Sequence, residues 1–354
     1  MKKRFLILLL ILVIVVEGVL LIKPTGFIKS IFEMKPKLIS QNVGPEYLSD
    51  HEMINEKNRW SKIMDEIGPE KAYAKFKDEY STKNFGTQHV AAHIIGALLY
   101  QKAGLNGQAI CDSTFSFGCY HSFFSQALTD KGPSIISSLN QVCLDKFGPL
   151  GSGCQHGIGH GVMDYFGQKH LLDALKACKP TTSFSAISGC TSGVFMEYNV
   201  PIIVTETDAN AISRPLDTKN PYAPCPALPK SFQESCYYSI GQWWDQTRVY
   251  KGDWKSQGLL CKNIPDVAFM ETCYLGIGNV TAPDNNYDPK KTIESCQKMP
   301  NQKAIVTCQA GASWSFAANP DFKPLAIKIC DELNDKDKNE CLRIGNLLNP
   351  NNNR

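Results

Sequence analysis

Fourteen cysteines set a ruler along this chain of 354 residues. They fall in order as Cys111/Cys119, Cys143/Cys154, Cys178/Cys190, Cys225/Cys236, Cys261/Cys273, Cys296/Cys308 and Cys330/Cys341. Within a pair the separation is 8, then 11 or 12, and the first members recur at steps of 32, 35, 47, 36, 35 and 34. A period near 35 residues is that of a two-helix repeat, a hairpin that cannot bury its apolar face alone and stacks on the next. The even count and regular spacing predict seven disulfides, each joining the two helices of one unit. In the chain-entropy view each such loop of about a dozen residues contributes roughly 3 kcal/mol, useful where a unit has little core of its own.

The residues between the cysteines repeat one script. A first helix ends at a cysteine, as in Leu171-Leu-Asp-Ala-Leu-Lys-Ala-Cys178, and a short polar loop follows. A second helix is expected to begin around the second cysteine and to run through small residues. Examples are Ser188-Gly-Cys-Thr-Ser-Gly-Val194, Thr272-Cys-Tyr-Leu-Gly-Ile-Gly278 and Thr307-Cys-Gln-Ala-Gly311. Glycine lowers helix propensity but lets neighbouring helices approach closely. The predicted fold is all-α: a solenoid of about eight two-helix repeats. The repeat domain is expected over 59–349, with an insertion at about 200–224 and a tail at 350–354.

The front end differs. After Met-Lys-Lys-Arg comes an apolar run from Phe5 to Ile22, broken only by Glu17 and Gly18. Its length just suffices for a bilayer core of about 30 Å, and the Lys2, Lys3, Arg4 cluster holds that end in the cytoplasm. Residues 1–22 are therefore read as a signal-anchor transmembrane helix and 23–58 as a stalk. A cleaved signal peptide is the rival, but no small-x-small cleavage site follows the run. Either way the body is extracytoplasmic, periplasmic or at the cell surface, as the cysteines require. Residues 1–40 hold 7 of the 37 Lys/Arg and 2 of the 34 Asp/Glu, so the rest is near neutral and offers no basic face for nucleic acid.

Ala174-Leu-Lys-Ala-Cys178, followed by Ser188-Gly-Cys190 and Gly193-Val194, resembles the disulfide-stapled Sel1-like repeats of secreted cysteine-rich proteins and, more broadly, tetratricopeptide-type repeats. The resemblance covers period and cysteine placement over roughly 60–348. It implies an α/α array with a groove for a peptide or protein partner. Histidine pairs lie outside that family's pattern.

Those pairs are the chemical signal. His89 and His93, and again His156 and His160, stand four apart, a spacing that puts both imidazoles on one helix face. Gly118-Cys-Tyr-His121 matches Gly153-Cys-Gln-His156 in register. At about 100° per residue, positions two and six after the cysteine lie roughly 200° and 240° around the helix, away from the disulfide. His89, His93, His121, His156 and His160 are thus expected on one lateral surface of three successive units, with His121 shared between two ions. Neutral imidazoles suit zinc, copper or iron, and Asp164, one turn beyond His160, is placed to orient it, Asp130 and Glu197 being less well phased. Haem held between imidazoles is a further reading; packing groups hydrogen-bonded to the next helix are the bland one.

Downstream the same two places become Ser192 and Met196, then Tyr238 and Gln242, then Leu275 and Asn279, so the site is expected to end with the third unit. Tyr238, Trp243 and Trp244 are assigned to packing, and His51 and His170 to the surface. No Cys-x-x-Cys, Cys-x-x-Cys-His, Gly-x-Ser-x-Gly, Walker or dinucleotide motif occurs. Two functions are in contention: a membrane-anchored metal protein, binding or catalytic, and a non-enzymatic envelope scaffold for protein partners.

Overall fold

The computed structural model describes residues 50–148, 151–181, 187–199, 217, 219–247, 249–319 and 322–345. The expected anchor at 1–22, most of the stalk and of the insertion, and the tail lie outside them. Among the described residues there is no strand, and no helix is long and apolar enough to cross a membrane. Helix α1 (Asp50–Ile67) starts ahead of the expected boundary at 59, so the end of the stalk belongs to the folded body. Its Trp60 meets Phe76 of α2 (Pro69–Tyr80) edge to face at 5.3 Å. Both pack on α3 (Phe85–Ala103), whose residues Val90 to Leu99 are all buried.

The remaining α-helices among the described residues are α4 (Gly118–Lys131), α5 (Ile136–Phe147), α6 (Ser152–Phe166), α7 (Leu171–Ala177), α8 (Cys190–Asn199), α9 (Lys230–Gln246), α10 (Trp254–Lys262), α11 (Val267–Asp284), α12 (Pro289–Cys296), α13 (Gln302–Ala318) and α14 (Asp335–Ile344). All seven expected disulfides are present: Cys111–Cys119, Cys143–Cys154, Cys178–Cys190, Cys225–Cys236, Cys261–Cys273, Cys296–Cys308 and Cys330–Cys341. Each lies within one unit, with Cα–Cα distances of 5.4–5.9 Å.

The place of the second cysteine corrects the expected script. Only Cys119, Cys154 and Cys190 stand within the first three residues of their helices α4, α6 and α8. Cys236, Cys273, Cys308 and Cys341 do not open theirs; each lies 6 residues after the first residue of α9, α11, α13 and α14. The start signals stand upstream. Asp266, Asn301 and Asn334 cap α11, α13 and α14 by accepting from a backbone N–H of the first turn, worth about 1 kcal/mol apiece. Pro229 precedes α9. In these units the cross-link therefore grips the second helix near its middle.

Three units depart from the script at the first cysteine. Among the described residues, short 3-10 segments, Gly104–Ala109, Cys225–Ala227 and Lys323–Ile329, lie at or beside the first cysteine of these units. Cys119, Cys236 and Cys341 are thus bonded to cysteines that lie outside α-helices, Cys111, Cys225 and Cys330. In the first of these units Gly104 and Gly107 lower the helix propensity ahead of Cys111. Cys273 and Cys308 keep the expected helix-to-helix link, to Cys261 in α10 and Cys296 in α12.

The second helices of successive units form the spine: α3, α4, α6, α8, α9, α11, α13 and α14 each pack on the next. Glycine sets how closely. A Cβ on Gly159 of α6 would lie 2.0 Å from the Cys190 carbonyl oxygen, and one on Gly193 of α8 would lie 2.0 Å from that of His156. The two backbones therefore touch in both directions.

The array also returns on itself. Phe85, at the start of α3, meets Tyr287 at 4.9 Å and Phe322 at 6.4 Å. Ile187 shares an apolar cluster with Leu275, Val306 and Ala310, against which Tyr238 and Trp314 pack. Repeats far apart in sequence are thus in contact. Trp243 and Trp244 are buried, as expected of packing residues, and Trp244 Nε1 donates to the Pro221 carbonyl at 2.9 Å.

Candidate metal centre

Helices α3, α4 and α6 bring the five imidazoles of the repeat pattern into one continuous cluster. Ring centroids of His89, His93 and His121 lie 4.8–5.0 Å apart. Those of His121, His156 and His160 lie 4.3–5.4 Å apart. Each triad offers nitrogen atoms within 4.8 Å of one another, and His121 belongs to both. His93, His121 and His160 are buried; His89 and His156 are partly exposed. His170 takes no part in either triad and is exposed, as expected. The cysteines stay out of the site as well. Cys119 and Cys154, on the same helices as the histidines, are bonded to Cys111 and Cys143 and offer no thiolate.

The nitrogen spacing is informative. His93 Nε2 lies 3.3 Å from His89 Nε2 and 3.0 Å from His121 Nδ1. His160 Nε2 lies 3.0 Å from His156 Nε2. Four nitrogens at 2.0–2.1 Å around a tetrahedral ion would lie about 3.3 Å from each other. The observed edges are within roughly 0.3 Å of that figure.

The outer nitrogens are fastened to the protein. His89 Nδ1 donates to the Phe115 carbonyl at 2.8 Å. That carbonyl belongs to a run of three residues, Phe115, Ser116 and Phe117, with φ of 53–63°. Non-glycine residues rarely enter this region, and such strain persists only where surrounding packing imposes it. Here Phe117 lies against Gly153, where an added Cβ would meet its ring at 2.4 Å, and Phe115 is buried. His156 Nδ1 meets Ser192 Oγ at 2.7 Å. The Ser192 hydroxyl donates to the Gly189 carbonyl at 2.9 Å, so it accepts from the imidazole. His160 Nδ1 donates to Glu197 Oε2 at 2.8 Å, both side chains being buried. With these three protons assigned outward, the Nε2 lone pairs of His89, His156 and His160 all point inward. His121 Nε2 is buried with no hydrogen-bond partner.

Burial keeps these rings neutral. It pushes His89 down to about 3, helped by neighbouring His93, and His156 down to about 4. His121 and His160 are held well below the ordinary imidazole range by burial first and by the adjoining imidazoles second. Neutral imidazole is the form that ligates.

The His156 shift carries a pH prediction for the metal-free protein. Its folded-state value is below the unfolded 6.5, so the unfolded chain takes up the proton first and stability falls as pH falls through this window. Between about pH 6.5 and about pH 5 the wild type should lose roughly 1.5 kcal/mol relative to His156→Gln. Urea unfolding of both at the two pH values measures it. An unchanged difference means the ring is as hydrated as a free histidine.

The structure amends the expected surroundings. The carboxylate on His160 is Glu197; Asp164 accepts from the Ser125 hydroxyl. Asp130, another carboxylate of these units, accepts from Tyr100. The site does not end with the third repeat, because α8 supplies Ser192, Met196 and Glu197. Ser192 and Met196 sit two and six positions after Cys190, the places that carry His156 and His160 after Cys154. Their shared phase was visible in the sequence, but the change of residue type there was read as the loss of the site. Met196 Sδ lies 3.2 Å from His156 Nε2. No protein-family model, curated protein or solved structure matches the chain.

Proposed function

We propose that this protein is an extracytoplasmic transition-metal-binding protein that holds two ions side by side. One is taken by His89, His93 and His121, the other by His121, His156 and His160, with His121 bridging them as an imidazolate whose ring proton is released to solvent on binding. The observation that carries this reading is the inward convergence of imidazole nitrogens at 3.0–3.3 Å, with Phe115, Ser192 and Glu197 holding the far side of three rings. Outer hydrogen bonds of this kind fix ring orientation and raise ligand basicity. An all-nitrogen set suits zinc, copper or iron, not magnesium or calcium.

His89 and His156 are partly exposed, which supports exchange of ions, or of a water ligand, from that side. Seven disulfides fit an oxidising compartment. The apolar run Phe5–Ile22 behind Lys2, Lys3 and Arg4 supports tethering to the membrane. The Sel1-like resemblance supports a two-helix repeat ancestry of the scaffold.

Elemental analysis of the exported domain, purified without a histidine tag and offered zinc and copper, tests the reading. About two ions per chain are expected, since each triad supplies three nitrogens. A folded, disulfide-intact domain that binds neither metal would overturn it and leave the histidines as packing groups.

A further inference from the structure

The second triad has a fourth candidate donor beside its three imidazoles. Met196 Sδ stands 3.2 Å from His156 Nε2, whose lone pair also faces His160 Nε2 at 3.0 Å. The outer nitrogens of both rings are occupied by Ser192 and Glu197. A thioether sulfur has no proton to give and accepts hydrogen bonds weakly. It gains little by facing an imidazole lone pair unless something between them attracts both. A soft cation does so.

The two triads also differ in kind. Around His89 and His93 the third donor is the imidazole of His121, and the fastening group on His89 is a backbone carbonyl. Around His156 and His160 one helix, α8, supplies three groups: Ser192 on one ring, Glu197 on the other, and Met196 against the inward nitrogen of His156. Met196 and Glu197 are adjacent in sequence, so one turn of α8 both orients His160 and presents the sulfur.

We propose that Met196 completes the second site and makes it selective for copper(I). This rests on the two-ion reading above. Thioether donors are soft and favour copper(I) over zinc, whereas imidazole alone accommodates either. The chain then carries two unlike sites that share His121: a nitrogen-only one and a nitrogen–sulfur one.

The test uses the full exported domain, metal-free and with disulfides intact. Copper(I), kept reduced by ascorbate without oxygen, is titrated in competition with a chromophoric copper(I) chelator; zinc is titrated separately. Met196→Leu keeps the side-chain volume and removes only the sulfur. The expected result is a loss of copper(I) affinity of at least about tenfold, since even outer contacts to a metal site are worth that much, with zinc binding unchanged. X-ray absorption of the copper(I) form should show a sulfur neighbour in the wild type that Met196→Leu lacks. The wild-type spectrum decides the matter even if the variant folds poorly. Equal copper(I) affinity in the two proteins, or a wild-type copper(I) shell of nitrogen only, would overturn the role of Met196 while leaving the metal-binding reading intact. Binding of neither ion would remove both.

Discussion

Replacing His121 with alanine is expected to weaken both bound ions together. The ring is buried between the two pairs, its Nδ1 3.0 Å from His93 Nε2 and its Nε2 buried without a hydrogen-bond partner. It belongs to both nitrogen triads, so its loss leaves each ion with one imidazole fewer. Outer-contact losses alone cost about 10–100-fold in metal affinity; loss of a direct ligand should cost at least about 100-fold at each site by that measure. Metal content after dialysis against a chelator should fall from about two ions to near zero. His170→Ala, at an exposed ring outside the cluster, should change nothing. Retention of one ion by His121→Ala would show that the two sites are independent and that His121 serves only one. Retention of both would remove it from the metal altogether.

The second large effect is a change of sign. Glycine inside a helix normally costs about 1 kcal/mol relative to alanine, so Gly→Ala on a free helix face stabilises. Gly193→Ala should do the opposite. Its Cβ would be placed 2.0 Å from the His156 carbonyl oxygen, a contact that only movement of α6 against α8 relieves. Overpacking of this kind costs about 1–3 kcal/mol, and more where backbone is the obstacle. The melting temperature should drop by several degrees, with a further loss of metal affinity because the same backbone carries His156. A stabilised Gly193→Ala protein would mean that α6 and α8 are not in backbone contact.

Both expectations join scaffold to site through the same stack of helices. Gly159 and Gly193 bring α6 and α8 into backbone contact. That closeness lets Ser192 and Glu197 reach the outer nitrogens of His156 and His160 at 2.7 and 2.8 Å. A wider spacing would take the His160 imidazole away from the buried Glu197 carboxylate, and loss of such a contact costs about 1–3 kcal/mol.

The repeat order was written in the sequence because its cause is periodic. Cysteine spacing carried the seven cross-links, and the small residues after each second cysteine carried the close packing of neighbouring helices. The start of those helices was less legible. A cysteine looks alike at a helix start, as at Cys119, or two turns in, as at Cys308; the capping Asn301 was the better marker. The five clustered imidazoles were legible because helical phase relative to the cysteine is a local property. Their partners were not. Glu197 follows Met196 at no distinctive spacing, and only the contact of α8 with α6 shows that it, and not Asp164, meets His160. The return of the array, with Phe85 against Tyr287, was likewise invisible. Small rotations at each hairpin add up over many repeats, and no single stretch of sequence encodes their sum. The chain by itself therefore determined which side chains share a face. The tertiary structure alone decided which face meets which, because that depends on the angle between helices, a quantity set by packing at every interface at once.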